Sequence, residues 1–270
     1  MVVTAVTLRF AVLSGRARAA EPWTIRWILH GAGAAALAAD ADASRLLDGT
    51  GPFVMLGRDM PSVPSTWNAV PFVSFTSFDA LRNAVEGGGL DPQVRGVMYD
   101  YENWRFTPDD EQRNPARYLQ RAAALVHARG LLFITAPAVN LAAVQAPGST
   151  NRPADYLRLG IAADGARYAD VFDIQAQSAE RDTQAYMYFV REAAAQARQA
   201  NPNVVVFAGV STQPGGQRVT ADHILDAIDA TRQYVDGYWL NIPRPSEYCP
   251  RCTEFRPDIA MGVLRRLSAR

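Results

Sequence analysis

Residues Val94 to Glu102 read Val-Arg-Gly-Val-Met-Tyr-Asp-Tyr-Glu, an apolar run that turns acidic at its end. In an extended strand, successive side chains point to opposite faces. Met98, Asp100 and Glu102 therefore share one face, and Val97, Tyr99 and Tyr101 the other. Bulky apolar groups suit a layer of covering helices, which leaves the two carboxylates facing the opposite way. Two strand steps separate their Cα atoms by about 6.6 Å, close enough for the charges to couple. Like charges at that range raise at least one pKa, and a carboxyl that stays protonated near neutrality can act as a general acid.

Seven further apolar runs have a similar length: Trp23 to Leu29, Pro52 to Leu56, Phe72 to Phe75, Leu131 to Ala136, Val171 to Ala176, Val204 to Val210 and Val235 to Ile242. Helix-compatible segments lie between them, most clearly Pro115 to Ala128, Ala179 to Ala200 and Thr220 to Tyr234. Thr220 is the expected N-cap of the last, and Gly130 the glycine stop after the first. Strands alternating with helices imply parallel pairing. Eight such units in this length predict a single (β/α)8 TIM barrel over residues 21–270. The rival is an open doubly wound sheet with a dinucleotide site. His30-Gly31-Ala32-Gly33-Ala34-Ala35-Ala36 holds two of that fingerprint's glycines, with alanine at the third, and Asp59 lies late for the acidic partner.

Barrel chemistry gathers where the strands end. The same alternation brings Asp100 and Glu102 together with His30 from strand one, Thr135 and Asn140 from strand five and its loop, and Asp173, Gln175 and Gln177 from strand six. Strand seven adds Ser211 and Gln213, and strand eight Trp239 and Asn241. Tyr101 and Trp104 stand beside the acidic pair as further candidate contacts, and Trp104 serves equally well as a loop anchor. Amides, hydroxyls, a tryptophan face and paired acids suit a carbohydrate substrate. Only Arg26 or Arg58 would bring positive charge, which disfavours a phosphorylated one.

Gly96, Asp100 and Glu102 also match the strand-four signature of family 18 glycoside hydrolases, Asp-Gly-x-Asp-x-Asp-x-Glu, which this segment resembles. The resemblance implies a general acid at Glu102, with Asp100 positioning and stabilising a substrate-derived intermediate. It likens Trp239 to that family's floor tryptophan. Arg95 and Met98 stand where the family has its first two aspartates, and Phe172-Asp173-Ile174-Gln175 replaces its Met-x-Tyr-Asp.

Composition narrows the alternatives. Of 27 basic residues none is lysine, so Schiff-base, pyridoxal-phosphate and P-loop chemistry are excluded. Zero formal charge argues against nucleic acid, and no apolar run is long enough to span a membrane. The two cysteines, Cys249 and Cys252, suit a local disulfide or free thiols better than zinc, which would need more ligands. Residues 1–20 read as a degenerate or truncated export signal, with apolar runs broken by Arg9 and a small-x-small site at Ala17-Arg18-Ala19. They imply a secreted protein.

The expected function is metal-free and cofactor-free glycoside hydrolysis by Glu102, Asp100 and Asp173. A barrel that binds carbohydrate without cleaving it is a second reading. A third is a metal-assisted lyase or isomerase, built on the three acids with His30. A purely structural role would instead pair Asp100 or Glu102 with Arg26, Arg58 or Arg105. Helix–strand packing accounts for Tyr99, Tyr101, Tyr186 and Tyr188, His127 and His223 read as surface residues, and Thr107 before Pro108 as a helix cap.

Overall fold

All eight apolar runs form strands in the computed structural model, which describes residues 25–270. They are β1 (Arg26–His30), β2 (Phe53–Met55), β3 (Val70–Phe75), β4 (Gly96–Tyr99), β5 (Leu132–Thr135), β6 (Val171–Ile174), β7 (Val205–Ser211) and β8 (Gly237–Asn241). Each pairs in parallel with its sequence neighbour, and β8 closes on β1 with Ile28 beside Trp239. The chain is therefore a TIM barrel. The open nucleotide-binding sheet is excluded, and its two apparent fingerprint glycines have other roles. Gly31 opens the first helix at positive φ, and Gly33 lets that helix approach β8, where an added Cβ would meet Ile242 at 2.7 Å. The export-like segment lies outside the described residues.

The covering helices are α1 (Gly31–Ala39), α2 (Ala41–Leu47), α3 (Phe78–Glu86), α4 (Asp109–Arg113), α5 (Pro115–His127), α6 (Ala142–Gln145), α7 (Arg152–Arg158), α8 (Ile161–Ala166), α9 (Thr183–Ala200), α10 (Ala221–Thr231) and α11 (Pro257–Ser268). Their ends follow the expected chemistry. Thr220 caps α10 in a reciprocal box with His223, and Gly130 takes the left-handed conformation after α5. The stretch from Ala179 is not one helix. A 3-10 turn at Gln177–Ala179 comes first, and α9 starts only where Asp182 accepts the Ala185 N–H at 3.0 Å.

Strand alternation sorts the core into two layers. Ile28, Phe53, Phe72, Met98, Ile134, Val171, Phe207 and Trp239 fill the barrel. Val97, Tyr99, Tyr101, Phe133, Phe172 and Ile174 point outward into the helix layer. Each of these large side chains contributes about 1.5–3 kcal/mol of burial, so a one-residue slip of register, which would exchange the two sets, is strongly opposed. Register in turn fixes which residues reach the C-terminal mouth.

Two expectations fail on this parity. Tyr101 is fully buried and stacked on Tyr99 at 5.0 Å, behind the strand rather than in the mouth. Thr135 has the parity of Phe133 and gives its hydroxyl to the Gly165 carbonyl at 2.9 Å, toward α8. Tyr99, Tyr186 and, on its packing reading, Tyr101 lie between helix and strand as expected. Tyr188 is instead 53% exposed, on the outer face of α9.

Candidate active site

The mouth is built around strand four. Asp100 and Glu102 follow directly on β4, both partly exposed. Across the ring, β6 contributes Asp173, fully buried, and then Gln175. The Gln175 amide donates to Asp100 Oδ1 at 2.9 Å and to the Ala136 carbonyl at 2.8 Å, tying strands four, five and six together. Asn140, from the loop after β5, donates to Glu102 Oε2 at 3.2 Å. Its own oxygen accepts the Asn103 N–H at 2.8 Å.

On the far side, the His30 ring meets Asn241 Oδ1 through Nε2 at 2.9 Å and lies edge-on to Trp239, with centroids 5.6 Å apart. Trp239 is nearly buried and its indole N–H has no protein partner; neither oxygen of Asp173 has one either. Gln177 lies over Gly209, an inward-facing position of β7 where an added Cβ would meet the amide at 2.6 Å. Glycine there makes room for the side chain.

The structure thus brings Asp100, Glu102, Asp173, His30, Asn140, Gln175, Gln177, Trp239 and Asn241 to one end of the barrel. Gln213 is occupied elsewhere. Its oxygen accepts the Thr253 and Glu254 N–H groups, and its amide donates to Thr253 Oγ1 at 3.1 Å, so it anchors the loop after β8. Trp104 is held in a loop by its own N–H, which donates to Thr107 Oγ1 at 2.8 Å.

Thr107 is the main residue that the sequence reading misjudged. Its hydroxyl does not cap α4. It is buried, accepts the Glu102 N–H at 3.2 Å as well as the Trp104 indole, and donates to the Thr76 carbonyl at 2.8 Å. Gln112 closes the same loop by donating to the Trp104 and Thr107 carbonyls at 2.9 and 2.7 Å. The nearest sequence signal is a hydroxyl residue five positions beyond the acid, which an ordinary turn would also show.

No arginine neutralises the acids: among the described residues, Asp100, Glu102 and Asp173 take part in no ion pair. Arg26 lies at the opposite end of β1, over the Phe53 ring at 5.0 Å, and Arg105 pairs with Glu247 at 2.7 Å. The consequence is electrostatic. Burial, and then the charges of Glu102 and Asp173, push Asp100 well above the usual carboxylate range, with the Gln175 bond opposing. Burial also raises Glu102, against the pull of its bonds from Asn140 and Gln175. Asp173 is pushed up to about 8 by burial alone. His30 moves the other way: burial lowers its pKa, so the ring is neutral at pH 7.

No family model matches the sequence, and no curated protein does. Among solved structures the chain is similar to a chitinase from Chromobacterium violaceum, with 16% identity, a TM-score of 0.41, and 70% of this chain and 68% of that one covered. It is similar to a class V chitinase from Pseudomonas fluorescens at 14% identity and a TM-score of 0.39, covering 69% and 68%. It is also similar to a protein from Bacteroides thetaiotaomicron assigned as an α-L-fucosidase, at 10% identity and a TM-score of 0.46, covering 93% and 96%.

What the mouth can do follows from its own residues. Three acids without a cation cannot all ionise near neutrality, so the cluster retains protons. Asp100 and Glu102, each held by an amide, are its members at the edge of solvent. Among the described residues no three His, Cys, Asp or Glu side chains converge as metal ligands would. The cysteines form the Cys249–Cys252 disulfide, which excludes both free thiols and a zinc site there. No helix among the described residues is long and apolar enough to cross a membrane.

Proposed function

We propose that the protein hydrolyses glycosidic bonds, with Glu102 as the general acid. The observation that carries this reading is the cluster of Asp100, Glu102 and Asp173 at the barrel mouth, free of any cation, with Glu102 oriented by Asn140. Glu102 protonates the leaving oxygen. Asp100, fixed by Gln175, orients the substrate-derived intermediate beside the acid. The nucleophile at the sugar carbon is a substrate acetamido oxygen, or water deprotonated by the ionised form of Asp173. Trp239 offers an apolar face to the ring, and His30, Asn241 and Gln177 offer hydrogen bonds to hydroxyls.

An exported protein is consistent with the disulfide, since such bonds persist in oxidising compartments. The test is release of reducing ends from a panel of polysaccharides and aryl glycosides. Wild-type protein should be active, and Glu102→Gln should lose at least about 100-fold, the lower end of what a positioned acid contributes. Retained activity in Glu102→Gln would overturn the assignment.

A barrel that binds glycans without cleaving them has one observation in its favour. Met98, fully buried, fills the barrel core where the resembling family has its inner aspartate. Glycan binding with no product released by any substrate of the panel would select that reading.

A further inference from the structure

The loop after β8 joins parts of the rim that are far apart around the ring. Arg244 pairs with Asp59, in the loop after β2, at 2.7 Å. Glu247 pairs with Arg105, in the loop after β4, also at 2.7 Å. Thr253 and Glu254 then bind Gln213, in the loop after β7. Strands four and eight stand opposite each other in a closed ring of eight, so the Arg105–Glu247 contact links opposite sides of the barrel. The Cys249–Cys252 disulfide and the Cys252 N–H bond to the Cys249 carbonyl, at 3.1 Å, stiffen the turn.

Where these loops meet, three aromatic rings lie together. Phe106 and Tyr248 are inclined by only 33° with centroids 4.8 Å apart. Trp104 stands edge-on to Phe106 at 5.0 Å and lies 6.0 Å from Tyr248. Tyr248 is 59% exposed, the most exposed large hydrophobic residue of the described chain, and Trp104 and Phe106 are partly exposed. A solvent-facing ring costs free energy unless something covers it, and here three gather at one point. The patch begins two residues beyond the acid, where the Trp104 backbone N–H donates to the Glu102 backbone carbonyl at 3.0 Å. The flanking charges, Arg105 and Glu247, neutralise one another.

We propose that Trp104, Phe106 and Tyr248 form a second saccharide-binding surface, which holds a further sugar unit of a neutral glycan chain. Aromatic faces meet the C–H surface of a pyranose, and the paired charges leave no site for an anionic sugar. The inference rests on the hydrolase reading for its ligand class, and it specifies a chain rather than a monosaccharide glycoside. Tyr248 lies between Glu247, paired with Arg105, and Cys249 of the disulfide.

The experiment is affinity electrophoresis of the full chain in gels containing hydroxyethyl cellulose, glycol chitin, laminarin, galactomannan, xylan or polygalacturonate. Wild-type protein, Glu102→Gln, Tyr248→Ala, Tyr248→Phe and Phe106→Ala are run side by side, with thermal melts as a control for folding. The expected result is retardation of wild type and Glu102→Gln by at least one neutral polymer, with binding about tenfold weaker in Tyr248→Ala and Phe106→Ala and restored in Tyr248→Phe. Retardation that both alanine variants retain would overturn the surface, as would retardation by polygalacturonate alone or by no polymer. Hydrolysis of aryl glycosides by wild type but not by Glu102→Gln would leave the catalytic reading standing in each of those cases.

Discussion

The acid catalyst proposed at Glu102 needs a proton to give and a fixed direction in which to give it, and different neighbours supply the two. Burial favours the protonated form, while Asn140 orients the carboxyl and, by donating to it, favours the ionised form. Removing that donor should therefore raise the pKa of Glu102. In Asn140→Ala the alkaline limb of the pH–rate profile is expected to move to higher pH, with a lower maximum rate because the carboxyl is no longer aimed. An unmoved limb would show that Asn140 does not act on the catalytic proton. Glu102→Gln differs in kind. A glutamine carbonyl can still accept from Asn140, so the fold and the bond survive while the proton is lost. Its melting temperature should stay within a few degrees of wild type.

At the scale of single elements, the loop from Glu102 to Gln112 depends on one hydroxyl. Thr107→Val removes the partner of the Trp104 indole N–H, of the Glu102 N–H and of the Thr76 carbonyl at once. Leaving buried groups unpaired costs about 1–3 kcal/mol each. Denaturant unfolding should therefore show a loss of roughly 2–4 kcal/mol, since some of these groups will find water. Thr107→Ser should retain most of the stability, and a Val variant as stable as wild type would refute the role. This loop also marks where sequence reading stops. Strands were legible because each is a short apolar run, and β4 was legible to the level of single side chains because parity is strict. Parity likewise explains why Asp100, Glu102, Asp173, Gln175 and Trp239 could be placed together. Tyr101 and Thr135 went astray because a polar atom at a strand end draws attention whichever way it points. Gln213 and Thr107 follow no period: their partners are set by loop paths, and Gln213 meets residues 40 positions further on.

At the scale of the whole molecule, the buried acids should set how stability varies with pH. Asp100, Glu102 and Asp173 have raised pKa values, as do Glu111, whose carboxylate accepts from Tyr99 and the Phe78 N–H, and Glu180, which accepts the Ser211 N–H. For a group of this kind the folded chain holds a proton that the unfolded chain has already released. The protonated form's contribution is full below the unfolded pKa, near 4, and is lost as pH rises through the folded value. Asp173 alone, with a folded value of about 8, can remove up to ~1.4 kcal/mol per pH unit between those limits. The lowered acids Asp110, Asp155 and Asp258 act in the opposite direction, and water screens the exposed Asp110 and Asp258. His30, lowered by burial, opposes acidification below its unfolded pKa near 6.5. Melting temperature should therefore fall as pH is raised from about 6 to 8, over a range in which an ordinary protein changes little. Asp173→Asn isolates the cause. An amide matches the neutral acid in shape, so the variant should melt close to wild type at pH 5 and clearly above it at pH 8. Parallel melting curves for the two proteins across that range would mean that Asp173 is not the proton-holding group, and the protons of the mouth would have to reside on Asp100 and Glu102 alone.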